Sequence, residues 1–432
     1  MQIINMVKII SYIKSQDNKY NNKEEFDKMI NIILQFYTKG IIEKRNAKII
    51  DEYNNLLIDK KKYAIDYNEK NSPIKYDTID GEKFIISKLT GFKISSHLSK
   101  NIENPEIAFI PLINEVIDIL HFGIYANIPI ILEGTFGQGK QTAIQYIAEC
   151  LGYDIINIMI SKNTKADDLL GRISITRDKD TNKIKVEYIE TKLLKAIKQN
   201  NESKKSIIVI HNLNNASNAV LDKLSSIFDK EQKDILLPNG TREKKGNFNI
   251  ISIFNSENDI VNREKLPSLL INNSLYYIIR KMTNQEISNI IEKKFQETNF
   301  EHDHNLFYDN FIKTKKASKE FSNENPLTLN DISKYIIFRN ITDKIIDESI
   351  ISQMIFAYRF IQREDTENIL SKLNLLSMKF FPIFEYSQPP TNLSIYISEN
   401  IKNPIIINTG NSRKIDVEKI KKKLLTLTTL QR

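Results

Sequence analysis

The stretch EGTFGQGKQT, residues 133–142, decides the fold of this 432-residue chain. In it, Gly134 is followed by four residues and then by Gly139 and Lys140, which is the GxxxxGK spacing of a phosphate-binding loop. Glycines let backbone N–H groups wrap around a phosphate, a helix N-terminus adds partial positive charge, and a lysine adds a full charge. The stretch therefore predicts a phosphate-binding loop, or P-loop, between a strand and a helix.

The sequence around the loop alternates short apolar runs with segments of helical periodicity. Buried strands are predicted at Ile128 to Leu132, Ile155 to Ile160, Ser206 to Ile210 and Asn249 to Phe254. Helices are predicted at Pro111 to Tyr125, Lys140 to Leu151, Thr191 to Gln199 and Ala219 to Phe228. Ile173 to Ile175 and Ile184 to Ile189 flank a polar turn and predict a hairpin. This pattern indicates an α/β domain, a P-loop NTPase parallel sheet sandwiched by helices.

The rest of the chain has other patterns. Residues 1–100 are predicted to be a helical N-terminal region, with a hairpin or irregular connector between Asp77 and Ile94. The α/β core is placed at 101–275, and an all-helical subdomain at 276–375. Its helices are predicted near Gln285 to Phe295, Leu329 to Phe338 and Glu348 to Ile361. Residues 376–432 form a separate C-terminal segment in this division.

Composition excludes several classes of protein. The only cysteine, Cys150, rules out an internal disulfide framework and any site built on several cysteines. No apolar run reaches the roughly 18 to 20 residues of a membrane span, so an intracellular protein, cytoplasmic or nuclear, without a membrane partner is expected. The formal net charge is +8. The lysine clusters 60–62 and 421–423 are either solvated faces or contacts to RNA phosphates.

Three positions depart from an active P-loop NTPase. Such sites hold Mg²⁺ through a Ser or Thr after the loop lysine and through a carboxylate that follows a neighbouring strand. Here the loop position is Gln141, and Thr142 is displaced by one residue. The strand at 206–210 is followed by His211 and Asn212. The sequence therefore predicts weakened or rearranged Mg²⁺ binding, with the Gln141 carbonyl as the alternative ligand, and His211 is either an ordinary histidine or an unorthodox base.

Several further segments, in matching order, carry a family resemblance. They are DDLLG at 167–171, IIVIHNLNNASNAVLDKLSSIFD at 207–229, FNIISIFN at 248–255, LTLNDI at 327–332 and AYRFIQREDTENI at 357–369. With the P-loop, they resemble a dynein-related AAA+ module of the midasin type, and they are similar to the modules of mysterin. The resemblance runs from Glu106 to about Asp365.

The resemblance implies an ATP-driven module with a helical lid, each site completed by an arginine of a neighbouring module. It assigns ATP or ADP binding to Gly134, Thr135, Phe136, Gly137, Gln138, Gly139, Lys140, Gln141 and Thr142. It places the Walker B positions on His211 and Asn212 and the sensor 1 position on Asn255. Residues 270–274 read LINNS where the family carries the arginine finger, and Asn330 stands at the lid arginine.

These departures favour an ATP-binding module with little or no hydrolysis and a structural or allosteric role. The alternatives are a slow ATPase that uses Gln141 for Mg²⁺ with an unorthodox base, and a scaffold without nucleotide. The resemblance implies other AAA+ modules as partners, in a ring or a tandem array, and LLTLTTLQR at 424–432 resembles the lead-in to a further module. It also suggests a ribonucleoprotein substrate and a part in large ribosomal subunit assembly.

Overall fold

The computed structural model describes part of the chain. The described residues are 30–36, 71–97, 107–177, 184–198, 205–255, 266–296, 307–309, 311–312, 314–315 and 327–342. The chain divides into two compact units, Met1–Lys293 and Lys294–Arg432. No helix in the described ranges is long and apolar enough to cross a membrane.

The secondary structure begins with residues 30–36, which are helical. The strands that follow are β1 Ile74–Ile79, β2 Glu82–Ser87, β3 Lys93–Ser95, β4 Ile130–Gly134, β5 Asp154–Met159, β6 Arg172–Arg177, β7 Ile184–Ile189, β8 Ser206–His211, β9 Asp234–Leu236, β10 Arg242–Lys244, β11 Phe248–Asn255 and β12 Leu275–Ile278. The helices are α1 Pro111–Tyr125, α2 Lys140–Leu151, α3 Asp167–Leu170, α4 Lys192–Lys198, α5 Asn218–Phe228, α6 Ser268–Asn272, α7 Asn284–Gln296 and α8 Leu329–Thr342.

The central sheet has five strands in the order β12-β4-β11-β8-β5. Every neighbouring pair is parallel. The chain leaves β4 for the far edge of the sheet at β5 and later returns to the other side of β4 as β12. The carboxyl end of β4 is therefore a topological switch point, where open α/β sheets bind ligands. The predicted α/β P-loop fold is confirmed.

The sheet buries its inner apolar strands completely, whereas β5, predicted to be a buried strand, is a partly exposed edge strand in which Met159 is 65% exposed. Ile207, Ile208, Val209 and Ile210 of β8 are each 0% exposed, as are Val220, Leu221 and Leu224 of α5. A parallel strand covered on both faces has no solvent side, which explains the unbroken apolar run. Burying each such side chain contributes roughly 1.5 to 3 kcal/mol, so this packing fixes where β8 delivers its last residue.

The first strand of the sheet begins later than the sequence predicted. β4 starts at Ile130 and extends to Gly134, whereas Ile128 to Leu132 was expected. The Ile128 amide donates to Gly123 O at 2.9 Å, and the Pro129 carbonyl accepts from the Leu275 amide at 2.8 Å. Ile128 thus belongs to the turn that follows α1, and the strand runs directly into the loop.

The hairpin that was one of two alternatives between Asp77 and Ile94 is found, and its first strand begins at Ile74, inside the stretch expected to be helical. β1, β2 and β3 form an antiparallel sheet in that order. The turn between β1 and β2 is Asp80-Gly81, with φ of 51° and 84°. Two successive positive φ values suit the right-handed twist of a two-residue hairpin, and Asp-Gly is a preferred pair there. The sequence carried this signal, because Gly81 interrupts the apolar runs at the turn.

The predicted hairpin at 173–189 is confirmed as the antiparallel pair β6 and β7. Ile173, Ile175, Ile184 and Val186 on one of its faces are 49–71% exposed. A second small antiparallel pair, β9 and β10, lies between α5 and β11. Both pairs are separate two-stranded sheets that are not part of the central sheet.

The helical part begins after one more strand. β12 occupies Leu275–Ile278, so the expectation that the chain is helical from 276 onward is wrong for that strand. The helices predicted near 285–295 and 329–338 are found as α7 and α8. In the second unit, Phe295, Phe307 and Tyr335 have ring centroids 4.7–6.3 Å apart. The predicted helix at 348–361, the motif at 357–369 and the segment 376–432 lie outside the described residues.

Candidate functional site

The loop between β4 and α2 has a backbone that only glycine suits at two positions. Gly137 and Gly139 have φ of 73° and 75°, in the left-handed region that costs other residues roughly 1–2 kcal/mol. A Cβ on Gly139 would lie 2.5 Å from Ile113 Cδ1, and one on Gly134 would lie 2.3 Å from Gln138 Oε1. Side chains at these two positions would therefore collide with α1 or with the loop itself, and we call this glycine-dependent loop the glycine cradle.

Lys140 is fixed at the start of α2 by three neutral oxygens. Its Nζ donates to Gly134 O at 2.7 Å, to Thr135 O at 2.8 Å and to Asn255 Oδ1 at 3.1 Å. Asn255 ends β11 and pairs in register with Gly134. The structure therefore brings the predicted sensor position beside the loop lysine. Because the first amides of α2 have no intrahelical acceptor, this end of the helix adds donors and partial positive charge.

The other predicted loop residues divide by exposure. Phe136 is 60% exposed and Thr142 is exposed, so neither side chain lines a buried site. Gln138 is buried, and its Nε2 donates to Arg280 O at 2.5 Å. The Oε1 of Gln141 is shielded from solvent and has no hydrogen-bond partner among the described residues. In this rotamer Gln141 does not offer its oxygen to a hydrated ion.

The residues after β12 support the loop, although they were not among the predicted site residues. The Arg280 guanidinium donates to Glu286 at 2.6 and 2.8 Å and lies 3.7 Å from Glu115 Oε2. Glu286 also accepts from the Leu112 amide at 2.9 Å, at the start of α1. Together with Gln138, these contacts tie the loop to α1 and to the start of α7. A lone arginine and scattered glutamates carry no spacing signal, so no sequence pattern pointed to them.

A second pair of contacts anchors β12 to its neighbours. The Tyr276 hydroxyl donates to Glu133 Oε2, and the Tyr277 hydroxyl donates to Glu115 Oε1. Glu133 directly precedes the loop but is only 2% exposed. Its carboxylate therefore points into the protein and anchors β12 through Tyr276.

His211 ends β8 as an uncharged side chain. Its Nε2 donates to Asn157 Oδ1 at 2.8 Å, because an amide oxygen can only accept. Partial burial lowers the pKa of His211 below its ordinary value of 6.5, so the imidazole is neutral at pH 7. The structure places His211 at the predicted position and binds it to β5.

Asn212 leaves the strand in a left-handed conformation, with φ of 58°. Its backbone N–H donates to Ile253 O at 2.8 Å. Asn is one of the few residues that tolerate the left-handed conformation. β11 separates β8 from β4, so His211 and Asn212 lie about two strand spacings, roughly 10 Å, from the loop strand. Asn214, which the sequence analysis did not single out, donates from Nδ2 to Asn255 O at 3.4 Å.

The arrangement fits phosphate better than it fits Mg²⁺. The glycine cradle, Lys140 and the α2 N-terminus suit an anion. Mg²⁺ prefers carboxylate, carbonyl and water oxygens in an octahedral set, whereas the expected ligand positions hold an imidazole and a shielded amide. No group of three or more His, Cys, Asp or Glu in the described ranges could hold a metal ion.

The remaining predicted positions contribute no arginine. Residues 270–274 form the end of α6 and the turn to β12, where Ser274 Oγ donates to Leu270 O at 2.7 Å. Asn330 is exposed near the start of α8, in the second unit. The lysine clusters 60–62 and 421–423 lie outside the described residues.

Comparisons with known proteins show what this chain is similar to. Residues 129–271 match the family model of the AAA domain of the dynein-related subfamily. The chain is 28% identical over 171 residues to midasin of Giardia intestinalis, a match that covers 39% of this chain and 3% of that midasin. A crystal structure from Cytophaga hutchinsonii, provisionally named an ATPase, has a TM-score of 0.32 and 16% identity, covering 54% of this chain and 68% of that one. The last likeness is too distant to carry weight. Residues 129–271, which hold the P-loop, the predicted sensor strand and the sheet strands between them, are thus similar to an AAA domain of the dynein-related subfamily.

Proposed function

We propose that this module binds ATP or ADP at residues 134–142 with little or no hydrolysis of ATP above background. One contrast carries the proposal: Lys140 and the glycine cradle are intact, while the two Walker B positions hold the neutral His211 and Asn212. Binding needs the cradle and the lysine. Hydrolysis also needs a base or water-positioning group and charge neutralisation in the transition state.

The missing groups are large contributors to rate. A positioned base is typically worth 10² to 10⁴ in rate, and an arginine finger about 10³ to 10⁵. Losses within one catalytic unit do not multiply in full. A loss of about 10³ would take a turnover of 1–100 s⁻¹, the range typical of kinases, to about 10⁻³ to 10⁻¹ s⁻¹.

We propose a structural or allosteric role for the bound nucleotide, within an assembly of AAA+ modules in a ring or tandem array. The likeness to midasin supports this proposal, as does the absence of an arginine at 270–274. The large ribosomal subunit or another ribonucleoprotein is the substrate that this kinship suggests. The bound nucleotide would supply binding energy to the folded module, and the loop glycines, Lys140 and Asn255 would hold and orient its phosphates.

One observation favours the alternative of a slow ATPase. With its Nε2 proton engaged by Asn157, the neutral ring of His211 keeps Nδ1 as an acceptor. An imidazole in that state is a competent base near pH 7. The alternative also needs Gln141 to turn its oxygen outward to a cation.

Phosphate release separates the two functions. Turnover of saturating ATP with Mg²⁺ is measured on the purified chain and on the Lys140→Ala variant. The proposal expects equal, background rates. Turnover that is well above background and disappears in Lys140→Ala would establish the slow ATPase, and a further loss in His211→Ala would identify its base.

A further inference from the structure

The charge at the end of β8 differs from that of a metal-dependent P-loop site. In such a site Mg²⁺ brings two positive charges, held by a loop hydroxyl and a carboxylate, beside a second acidic position. Here neither acidic position holds a carboxylate, because the two residues are His211 and Asn212. The two missing negative charges equal in number the two positive charges of Mg²⁺. The combined charge of this site and a metal-free polyphosphate is therefore the same as that of an acidic site and a magnesium–polyphosphate complex.

The oxygen atoms near the loop also favour binding without a metal. Gln141 Oε1 is shielded, and the neighbouring carboxylate of Glu133 is buried against Tyr276. The groups that suit phosphate need no metal: Lys140 Nζ among three neutral oxygens, and the glycine backbone at 137 and 139. What remains at this edge of the sheet is an anion site without the oxygen set of a hard cation.

We infer that this site takes its nucleotide as the free polyphosphate anion, so that Mg²⁺ is not required for binding. The inference rests on the proposed nucleotide binding at residues 134–142. In an acidic site, nucleotide binding depends on both the loop and the metal. Here the affinity for nucleotide comes from the loop, Lys140 and the α2 N-terminus alone.

Calorimetry with ADP tests the inference, because ADP avoids any question of hydrolysis. The full chain is titrated once in EDTA and once in excess MgCl₂. The expected Kd values agree within threefold. A loss of more than threefold in EDTA, with binding in MgCl₂ intact, would overturn the inference and leave the proposed nucleotide binding standing. Absence of binding in both buffers would overturn both.

A charge-restoring variant gives an independent test. His211→Asp with Asn212→Glu adds two carboxylates and should weaken metal-free ADP binding at least tenfold, with recovery in MgCl₂. The control, Gln232→Glu with Asn239→Asp, adds the same charge at exposed positions next to β9 and between β9 and β10 and should leave the EDTA affinity unchanged. If the first variant melts like the parent chain and still binds metal-free ADP equally well, the charge argument is wrong. If it does not fold, the comparison of the two buffers on the parent chain decides.

Discussion

Replacing Asp118 by Asn should stabilise the protein at neutral and alkaline pH. Asp118 lies on α1, is 2% exposed, and accepts a hydrogen bond from Ser87 Oγ at 2.9 Å. Burial raises its pKa from 3.8 to about 7, the Ser87 hydrogen bond opposes that rise, and the charge of Glu115 adds to it. Asn keeps the shape and the accepting oxygen, and it carries no charge to bury.

The magnitude follows from the pKa difference. A group whose pKa is higher in the folded state loses stability as pH rises from its unfolded pKa to its folded pKa, here from 3.8 to about 7. Each unit corresponds to 1.36 kcal/mol, so the gain from Asp118→Asn should be near zero at pH 4 and roughly 4 kcal/mol above pH 7. His121 acts in the opposite sense, because burial lowers its pKa to about 4 and stability falls as pH drops below 6.5. It is present in both proteins, so its effect cancels in the difference.

Urea unfolding of both proteins at several pH values between 5 and 8.5 measures this difference. Asp222→Asn, at an exposed position on α5, is the matched control and should change stability little at any pH. If the difference in unfolding free energy between the two proteins is constant across this range, the account of Asp118 as a destabilising buried carboxylate is wrong. It is also wrong if Asp118→Asn is less stable than the parent chain at pH 8.5.

Three further changes probe the loop, the Walker B positions and the support behind them. Gly139→Ala should cost roughly 1–2 kcal/mol in left-handed strain, with more from the isoleucine methyl group 2.5 Å away, and should abolish ADP binding in calorimetry. Gly240→Ala, with φ of 83° and open space around the new methyl, should cost the strain alone in thermal melts and leave binding intact, so equal binding losses would contradict the cradle. His211→Asp with Asn212→Glu should leave phosphate release near background, because Gln141 still stands at the Mg²⁺ position of the loop and no arginine stands at 270–274 or 330. Rapid turnover would show that the whole loss of hydrolysis originates at the end of β8. Glu286→Gln should cost roughly 2–3 kcal/mol in urea unfolding, because the charge that accepts from a guanidinium and two amides is lost, and an unchanged midpoint would rule out this support.

The parts that could be predicted are those with a local cause. The loop spacing specified a strand, a turn and a helix, and α2 begins at Lys140 as expected. Continuous apolar runs such as 207–210 specified buried parallel strands. Element ends were less certain, because β4 gains Gly134 only through pairing with Asn255 on β11, a contact distant in sequence.

The parts that could not be predicted depend on contacts between distant segments. The meeting of Lys140 with Asn255 follows from the strand order, which no local pattern encodes. The network of Arg280, Glu286 and Glu115 joins residues more than 160 positions apart. The β1–β2 hairpin is different, because its glycine-marked turn has a local cause and a hairpin was one of the two alternatives predicted there.

The central claim is that the P-loop binds nucleotide through Lys140. Calorimetric titration of ATP into the parent chain and into Lys140→Ala tests it most directly, with thermal melts to show that both are folded. The structure predicts saturable binding to the parent chain and at least a tenfold loss in the variant, because the only loop side chain with a full positive charge is removed. Equal affinities for the two proteins would contradict the assignment of the site.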